Sequence, residues 1–127
     1  MPVYIHETLS VARLVDEAIL PHREAGAAGF DIAASAAVTI SPGENALVPT
    51  GLCITVPPGT FGLLVDARPA CVHPDSAVRM GVLGGSDHDE VRVTVRNQGE
   101  ADLAISPGDA IAQLLVVRCS DPTIVEK

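Results

Sequence analysis

The chain has 127 residues, with 8 basic and 16 acidic side chains and a formal net charge of −8. This length suits a single domain spanning residues 1–127, and a hydrophobic share of 47% with 2% aromatic residues requires a core of aliphatic side chains. The acidic balance opposes the phosphate-neutralising surface that nucleic-acid binding needs, so we expect no nucleic-acid partner. No apolar run reaches the ~20 residues of a membrane span, and the first residues lack a signal-peptide pattern. We therefore expect no membrane partner and an intracellular location, in the cytoplasm or nucleus.

The predicted elements are short strands, many of them rich in β-branched residues. Residues 11–19 come first and carry apolar residues at helical spacing, so helix and strand both stay open there. The later segments predicted as strands are 38–40, 52–56, 91–96 and 111–117. In residues 91–96 three valines alternate with Arg92, Thr94 and Arg96, as a half-buried strand requires.

Turns punctuate these strands at three places where glycine follows proline, namely residues 42–43, 58–59 and 107–108. Proline presets the first central φ of a type II turn, and glycine accepts the positive φ at the second position. Short strands between such turns predict an all-β antiparallel sandwich or barrel.

The three cysteines, Cys53, Cys71 and Cys119, are odd in number and widely spaced. This pattern favours reduced core thiols over a disulfide framework or a zinc site.

Three blocks in order resemble the trimeric dUTPase family: residues 17–32, residues 46–59 and residues 108–114. Residues 82–97 also fall where that family has a hairpin and its following strand. The resemblance implies a small β-barrel or jelly roll of the β-clip type. It also implies a threefold ring with nucleotide sites at subunit boundaries, and an exchanged C-terminal strand that residues 121–127 could supply.

The resemblance also implies a chemistry, in which water attacks the α-phosphorus of Mg²⁺-bound dUTP and gives dUMP and pyrophosphate. A carboxylate on the hairpin activates that water, and an aromatic ring beside it packs on the deoxyribose. Main-chain groups of the hairpin, here around Gly81 and Val82, read the uracil edge.

The sequence departs from the family pattern at this hairpin. The position of the water-activating carboxylate falls on Gly84, which cannot take a proton, and the aromatic position falls on Asp87. Asp87 lies three residues beyond Gly84, so in an extended chain its carboxylate is displaced by about 10 Å and points to the opposite face. Only an unusual main-chain path through Gly84 and Gly85 would bring the Asp87 carboxylate to the attacking water, and this alternative stays open.

The phosphate-binding motifs depart from the family as well. The second motif, which presents arginine, serine and glycine in the family, falls on residues 66–71, where Asp66 adds negative charge and Pro69 lacks an N–H. Arg68 could still serve if the register slips by one residue. In the fourth motif the basic residue falls on Ala110, whereas Gln113 persists. The glycine-rich tail that closes over nucleotide in the family has no counterpart before the chain stops.

Asp31 would hold Mg²⁺ through water in an active relative, but a carboxylate just after a glycine turn also commonly bonds its own backbone, and we favour this structural role. Gln113 serves equally well as a phosphate-side residue or as a partner of nearby backbone. The residues His73, Asp75, Asp87, His88 and Asp89 could be imagined as a metal cluster. Their spacing matches no known ligand pattern, and a solvated loop tip is favoured.

We therefore expect a dUTPase-like fold that has lost dUTP hydrolysis, that binds an unknown protein partner as an adaptor, and that needs no cofactor. Adenoviral early proteins offer a parallel in length and motif loss, although the C-terminal residues here do not form a PDZ-binding tail. Two alternatives stay open. One is an active Mg²⁺-dependent dUTP diphosphatase with relocated residues, and the other is a sensor that binds uracil nucleotides without chemistry.

Overall fold

The computed structural model describes residues 7–67, 73–84 and 89–127. Within these ranges the chain forms eleven β-strands and no helix, which confirms the all-β prediction. The strands are β1 (Ser10–Arg13), β2 (Phe30–Ala33), β3 (Val38–Ile40), β4 (Asn45–Pro49), β5 (Leu52–Thr55), β6 (Thr60–Asp66), β7 (Ser76–Val78), β8 (Gly81–Leu83), β9 (Arg92–Asn97), β10 (Leu103–Ile105) and β11 (Ala110–Arg118). The ambiguous segment 11–19 is therefore strand up to Arg13 and irregular after it. No helix long and apolar enough to cross a membrane occurs in these ranges.

The strands pair antiparallel in four sheets. The largest has four strands in the order β2-β11-β6-β8, and a second has three in the order β4-β9-β7. The remaining strands form two pairs, β1 with β5 and β10 with β3. Strand β11 thus lies in the middle of the large sheet, between β2, which carries Asp31, and β6, which also pairs with β8.

The core is aliphatic, as the composition predicts. Burying one such side chain fully contributes about 1.5–3 kcal/mol relative to leaving it exposed. The largest fully buried apolar side chains are Ile32, Ile40, Val48, Leu52, Ile54, Val93, Val95 and Leu114.

Strand β9 and the turn glycines confirm two sequence predictions. Val93 and Val95 are buried, whereas Arg92 and Arg96 are exposed, as the alternation requires. Glycine at positions 43, 59 and 108 has a φ of 78°, 78° and 92°, which is the left-handed conformation that a type II turn needs.

Strand β11 contains a β-bulge between Ala110 and Ala112, where the register against β2 shifts. A bulge inserts one extra residue, so the inward and outward faces of the strand change places beyond it. Ile111 is accordingly buried while Gln113 is half-exposed, although the two are separated by a single residue. The bulge therefore turns Gln113 out of the core.

Asn97 closes strand β9 with a buried polar side chain, which is 1% exposed. Its Nδ2 donates to the carbonyls of Ile40 (2.9 Å) and Ala101 (2.8 Å), and its Oδ1 accepts from the Gly99 amide (2.9 Å). One amide side chain therefore satisfies three main-chain groups and fixes the turn that follows.

The cysteine prediction is correct only in part. Cys53 and Cys119 are free thiols. Cys119 is exposed, however, so it is no core residue, because strand β11 ends at Arg118 and the chain then leaves the sheet. Cys71 lies outside the described residues.

Candidate functional site

Two of the predicted site residues meet on the four-stranded sheet. Asp31 on β2 lies directly opposite Gln113 on β11, and Gln113 lies opposite Val65 on β6. Directly opposed residues in an antiparallel pair have Cβ atoms about 4.5–5.5 Å apart. Both side chains are half-buried, so a carboxylate and an amide emerge side by side from one face of the sheet.

Gly29 permits this arrangement because the chain before β2 runs tightly against β11. A Cβ placed at Gly29 would lie 2.6 Å from the carbonyl oxygen of Leu114 and 2.8 Å from Cγ of Gln113. The carbonyl belongs to a central strand and cannot move away. Glycine is therefore required at position 29 for the close approach of this segment to β11. Its lack of a side chain also leaves the space that Gln113 occupies.

The main chain positions Asp31 further. Its amide donates to the His22 carbonyl (2.6 Å), and its carbonyl accepts from the His22 amide (3.3 Å). In the described part of the chain the hydrogen bonds of Asp31 are those of its main chain. The carboxylate faces outward beside Gln113, and the structural role expected for it stays a prediction.

Gly81 and Val82 lie in strand β8, the outgoing arm of the predicted hairpin, and among the described residues β8 pairs with β6 at the other edge of the same sheet rather than with the returning segment 89–91. Gly81 lies opposite Leu64 and Val82 opposite Leu63, and Val82 is 65% exposed. Gly84 follows β8 as the last described residue of this arm. From residue 81 to residue 84 the arm thus presents main-chain groups and apolar side chains, but no ionisable group.

The returning arm contains two acidic residues, Asp89 and Glu90, before strand β9. Glu90 Oε2 accepts from the Gly51 amide (3.0 Å), and Glu90 Oε1 lies 3.5 Å from Nε of Arg92. Thr50, fully buried, donates through Oγ1 to the Val91 carbonyl at 2.6 Å. Glu90 therefore anchors the base of the hairpin to the turn at Thr50 and Gly51.

Two further carboxylates near the motifs also hold the backbone. Asp66 Oδ1 accepts from the Val78 amide at 2.6 Å, which ties the end of β6 to β7. Asp109 Oδ2 accepts from the Ser106 amide and lies 2.8 Å from Nε2 of His73. Burial raises the pKa of Asp109, but the Ser106 amide and His73 outweigh it and hold this pKa below its ordinary value.

Some of the predicted site residues lie outside the ranges that the structure describes. Arg68, Asp87 and His88 lie outside the described residues. His73, one of the residues weighed for a metal cluster, contacts Asp109 instead. Among residues 7–67, 73–84 and 89–127 no group of three His, Cys, Asp or Glu side chains could hold a metal ion.

Sequence reasoning missed two contacts of the site. The pair of His73 and Asp109 joins residues 36 positions apart, and Glu90 reaches Gly51 across 39 positions. Only the position of Asp109 just after a Pro-Gly turn signalled a residue that caps backbone amides. Nothing local to His73 or Glu90 indicates its partner.

The family model of dUTPase matches residues 16–127. The chain belongs to the dUTPase family. It is 37% identical over 131 aligned positions to the deoxyuridine 5'-triphosphate nucleotidohydrolase of Mycolicibacterium vanbaalenii, covering 94% of this chain and 80% of that protein. The rice enzyme of the same name is 33% identical, with 93% of this chain and 70% of the rice protein covered. For the enzyme of Anaeromyxobacter sp. the identity is 42%, with 76% and 68% covered.

Solved structures confirm the dUTPase fold. The dUTPase of phage phi11 of S. aureus superposes with a TM-score of 0.86 at 22% identity, covering 94% of this chain and 96% of that chain. A mutant of the Staphylococcus bacteriophage 80alpha dUTPase, solved with dUpNHpp, also gives 0.86 at 22% identity, covering 94% and 88%. The jelly-roll or barrel architecture expected from the resemblance is therefore present.

Proposed function

We propose that this dUTPase-family protein has lost efficient dUTP hydrolysis and acts by binding, with the family fold as its scaffold. The observation that carries the proposal is Gly84, the last described residue after β8, which stands where the family motif has its water-activating carboxylate. Of the two described acids on the returning arm, Asp89 is exposed, and Glu90 is bonded to Gly51 and paired with Arg92. It serves the base of the hairpin rather than its tip.

The expected loss of rate without a general base supports the proposed loss of dUTP hydrolysis. A general base must come within about 3 Å of the proton it takes, or act through one water. Loss of a positioned base typically removes about 10²- to 10⁴-fold in rate. The departures in the second and fourth motifs remove phosphate contacts in addition, so turnover falls far below that of a family enzyme.

A pyrophosphate-release assay with dUTP and Mg²⁺ tests the proposal. We expect no turnover above background for the natural sequence. Gly84→Asp, which restores an oxygen base at the motif position, should then raise the rate. Gly84→Asn is the matched control, because it has the same shape but cannot accept a proton, and it should stay at background. Robust turnover of the natural sequence would refute the loss of hydrolysis.

A second candidate is an active dUTP diphosphatase, which the identity of 33–42% to named dUTPases favours. The pairing of Asp31 with Gln113 favours it too. Mg²⁺ is usually held by one or two carboxylates together with substrate phosphates, and Asp31 is a half-buried carboxylate that fits such a role. Mg²⁺ bound there would neutralise phosphate charge. Under this candidate the natural sequence turns over, and Asp31→Asn abolishes the activity.

The remaining candidate is a sensor that binds uracil nucleotides without hydrolysing them. Strand β8 keeps its pairing with β6, so the main chain that would read a uracil edge is held in place without any functional side chain. Calorimetry with dUMP and with a non-hydrolysable dUTP analogue tests this. Heat that saturates would support a nucleotide sensor, and no heat at millimolar ligand would eliminate one.

We also propose a homotrimer that presents this site at its subunit boundaries. The outward face of the four-stranded sheet supports it, since Leu63, Val65 and Leu115 are only half-buried there and Val82 is exposed. The C-terminal residues Ile124 (95% exposed) and Val125 (79%) suit an exchanged segment in the same way. Light scattering should give about three times the chain mass of 13.1 kDa, and a monomer at micromolar concentration would contradict the trimer.

A regulatory role, which the proposed protein partner would serve, has a precedent within this fold. Phage 80alpha dUTPase is described as controlling the transfer of virulence genes by a G protein-like mechanism. That protein shares only the fold with the present chain, at 22% identity. It illustrates that a protein with the dUTPase fold can have a regulatory role, and the partner here stays undefined.

A further inference from the structure

The second sheet, β4-β9-β7, carries a concentration of positive charge on its outer face. Three of the eight basic residues of the chain lie there, namely Arg79, Arg92 and Arg96. The protein as a whole has a charge of −8. Positive charge concentrated on one face of an otherwise acidic protein attracts anions to that face.

The register shows how two of these arginines come together. Arg96 lies opposite Asn45 on β4 and opposite Ala77 on β7, and the Arg79 amide donates to the Thr94 carbonyl at 2.9 Å. Arg79 and Arg96 are therefore diagonal neighbours, about 7–8 Å apart at their backbones. Two guanidinium groups at that spacing can contact one anion between them. The small side chain of Ala77 leaves the space for it.

A pocket of about 260 Å³ lies at this point, lined by Asn45, Ala77, Val78, Arg79, Thr94 and Arg96. Four of these side chains offer hydrogen-bond donors: two guanidinium groups, one amide and one hydroxyl. Within the described ranges, Arg92 is paired with Glu90, but neither Arg79 nor Arg96 forms a salt bridge. The donors of the pocket are thus available to a ligand.

We propose that this pocket binds a small phosphate-bearing anion. A phosphate group has three or more acceptor oxygens for the donors present, whereas a carboxylate has two, and guanidinium groups match phosphate with paired hydrogen bonds. The volume lies below the 300–1,000 Å³ typical of sites for drug-sized ligands, so the bound part is the anion rather than a whole nucleotide. Neither Asp31 nor Gln113 nor any residue of β8 lines the pocket, so it is separate from the candidate nucleotide site.

Titration of the full chain with inorganic pyrophosphate, followed by calorimetry and by amide chemical shifts, tests the proposal. We expect saturable binding with the largest shifts at residues 77–79 and 94–96. Arg79→Gln and Arg96→Gln should each weaken binding about tenfold or more, since each removes a charge-assisted contact. Arg13→Gln is the charge-matched control on exposed strand β1 and should change the affinity by less than about twofold.

Thr94→Val provides a second variant that keeps the charge and nearly the volume, and it should weaken binding about threefold, as expected for one neutral hydrogen bond. Equal weakening by Arg13→Gln would show unspecific charge attraction and overturn the proposal. Shifts centred on β2 and β11 instead would assign pyrophosphate to the nucleotide site and also overturn it. Malonate that binds as tightly as pyrophosphate would refute the assignment to phosphate.

Discussion

The turn after Asn97 and the hairpin that reaches Gly84 lie at opposite ends of strand β9, and they depend on different groups. At the first, one buried amide satisfies two carbonyls and one amide of the main chain. At the hairpin, β8 is held by main-chain pairing with β6, and its three residues are Gly81, the exposed Val82 and Leu83. The turn is specified by a side chain, and the hairpin arm by its backbone.

This difference explains how a chain can keep a family's fold while the chemistry of its site changes. Side chains that satisfy buried main-chain groups cannot be replaced without a large loss of stability. Exposed side chains such as Val82 on β8 satisfy no buried main-chain group, so substitution there changes the chemistry of the site before it changes the fold. Family membership over residues 16–127 therefore describes the scaffold more firmly than the reaction.

The largest effect should come from Asn97→Ala. It leaves the carbonyls of Ile40 and Ala101 and the amide of Gly99 without their partner, in a site 1% exposed. We expect a loss of about 3–5 kcal/mol in the free energy of unfolding, measured by urea denaturation. The neighbouring exposed Gln98→Ala should change it by less than about 0.5 kcal/mol. Similar values for the two variants would contradict the role of the Asn97 side chain in specifying this turn.

A smaller effect is expected from Gly29→Ala, because the new Cβ would meet the Leu114 carbonyl at 2.6 Å. Overpacking of this kind destabilises by about 1–3 kcal/mol and should displace Gln113 from its position opposite Asp31. Gly81→Ala is the matched control, since its Cβ would meet only ordinary contacts at 3.5 Å and beyond. Thermal unfolding of both variants measures the difference, and equal midpoints would show that the approach of β2 to β11 can relax.

The smallest effect concerns Asp109→Asn, which keeps the shape of the side chain but removes its charge. The pKa of Asp109 is lowered on folding, so its contribution is present above the unfolded value and is lost as pH falls through the folded one. We expect the variant to be less stable by under about 1 kcal/mol at neutral pH. The two stability curves should converge below about pH 4. A gap that stays constant through this acid range would contradict the role of the charge.

Much of the fold could be predicted from the sequence, because its signals are local. The alternation in β9 and the Pro-Gly turns each lie within a few residues, and both are confirmed. For the candidate site, the sequence predicted the motif residues but not how they pair in space. The pairing of Asp31 with Gln113 depends on the register of two strands that are far apart in sequence, and on a bulge that no local pattern marks.

The hydrogen bonds that hold the site were missed for the same reason. Glu90 and His73 bond to partners 39 and 36 positions away, which are chosen by the packing of sheets rather than by neighbours in the chain. Asp66 also has a role that depends on a partner distant in the sequence. In the sequence it reads as a charge unfavourable to phosphates, whereas in the structure it accepts the Val78 amide and fixes the start of the segment that leads to the hairpin.

Strand β11 pairs with β2 on one side and with β6 on the other, so beyond the bulge at Ile111 its length is constrained more strictly than the identity of its residues. Adding one residue between Gln113 and Leu114 would shift the register by one position and invert the inward and outward faces on one side of the insertion. Gln113 would then point into the interior or Leu114 to the solvent. Along this strand, natural variation can exchange one amino acid for another far more freely than it can add or remove one.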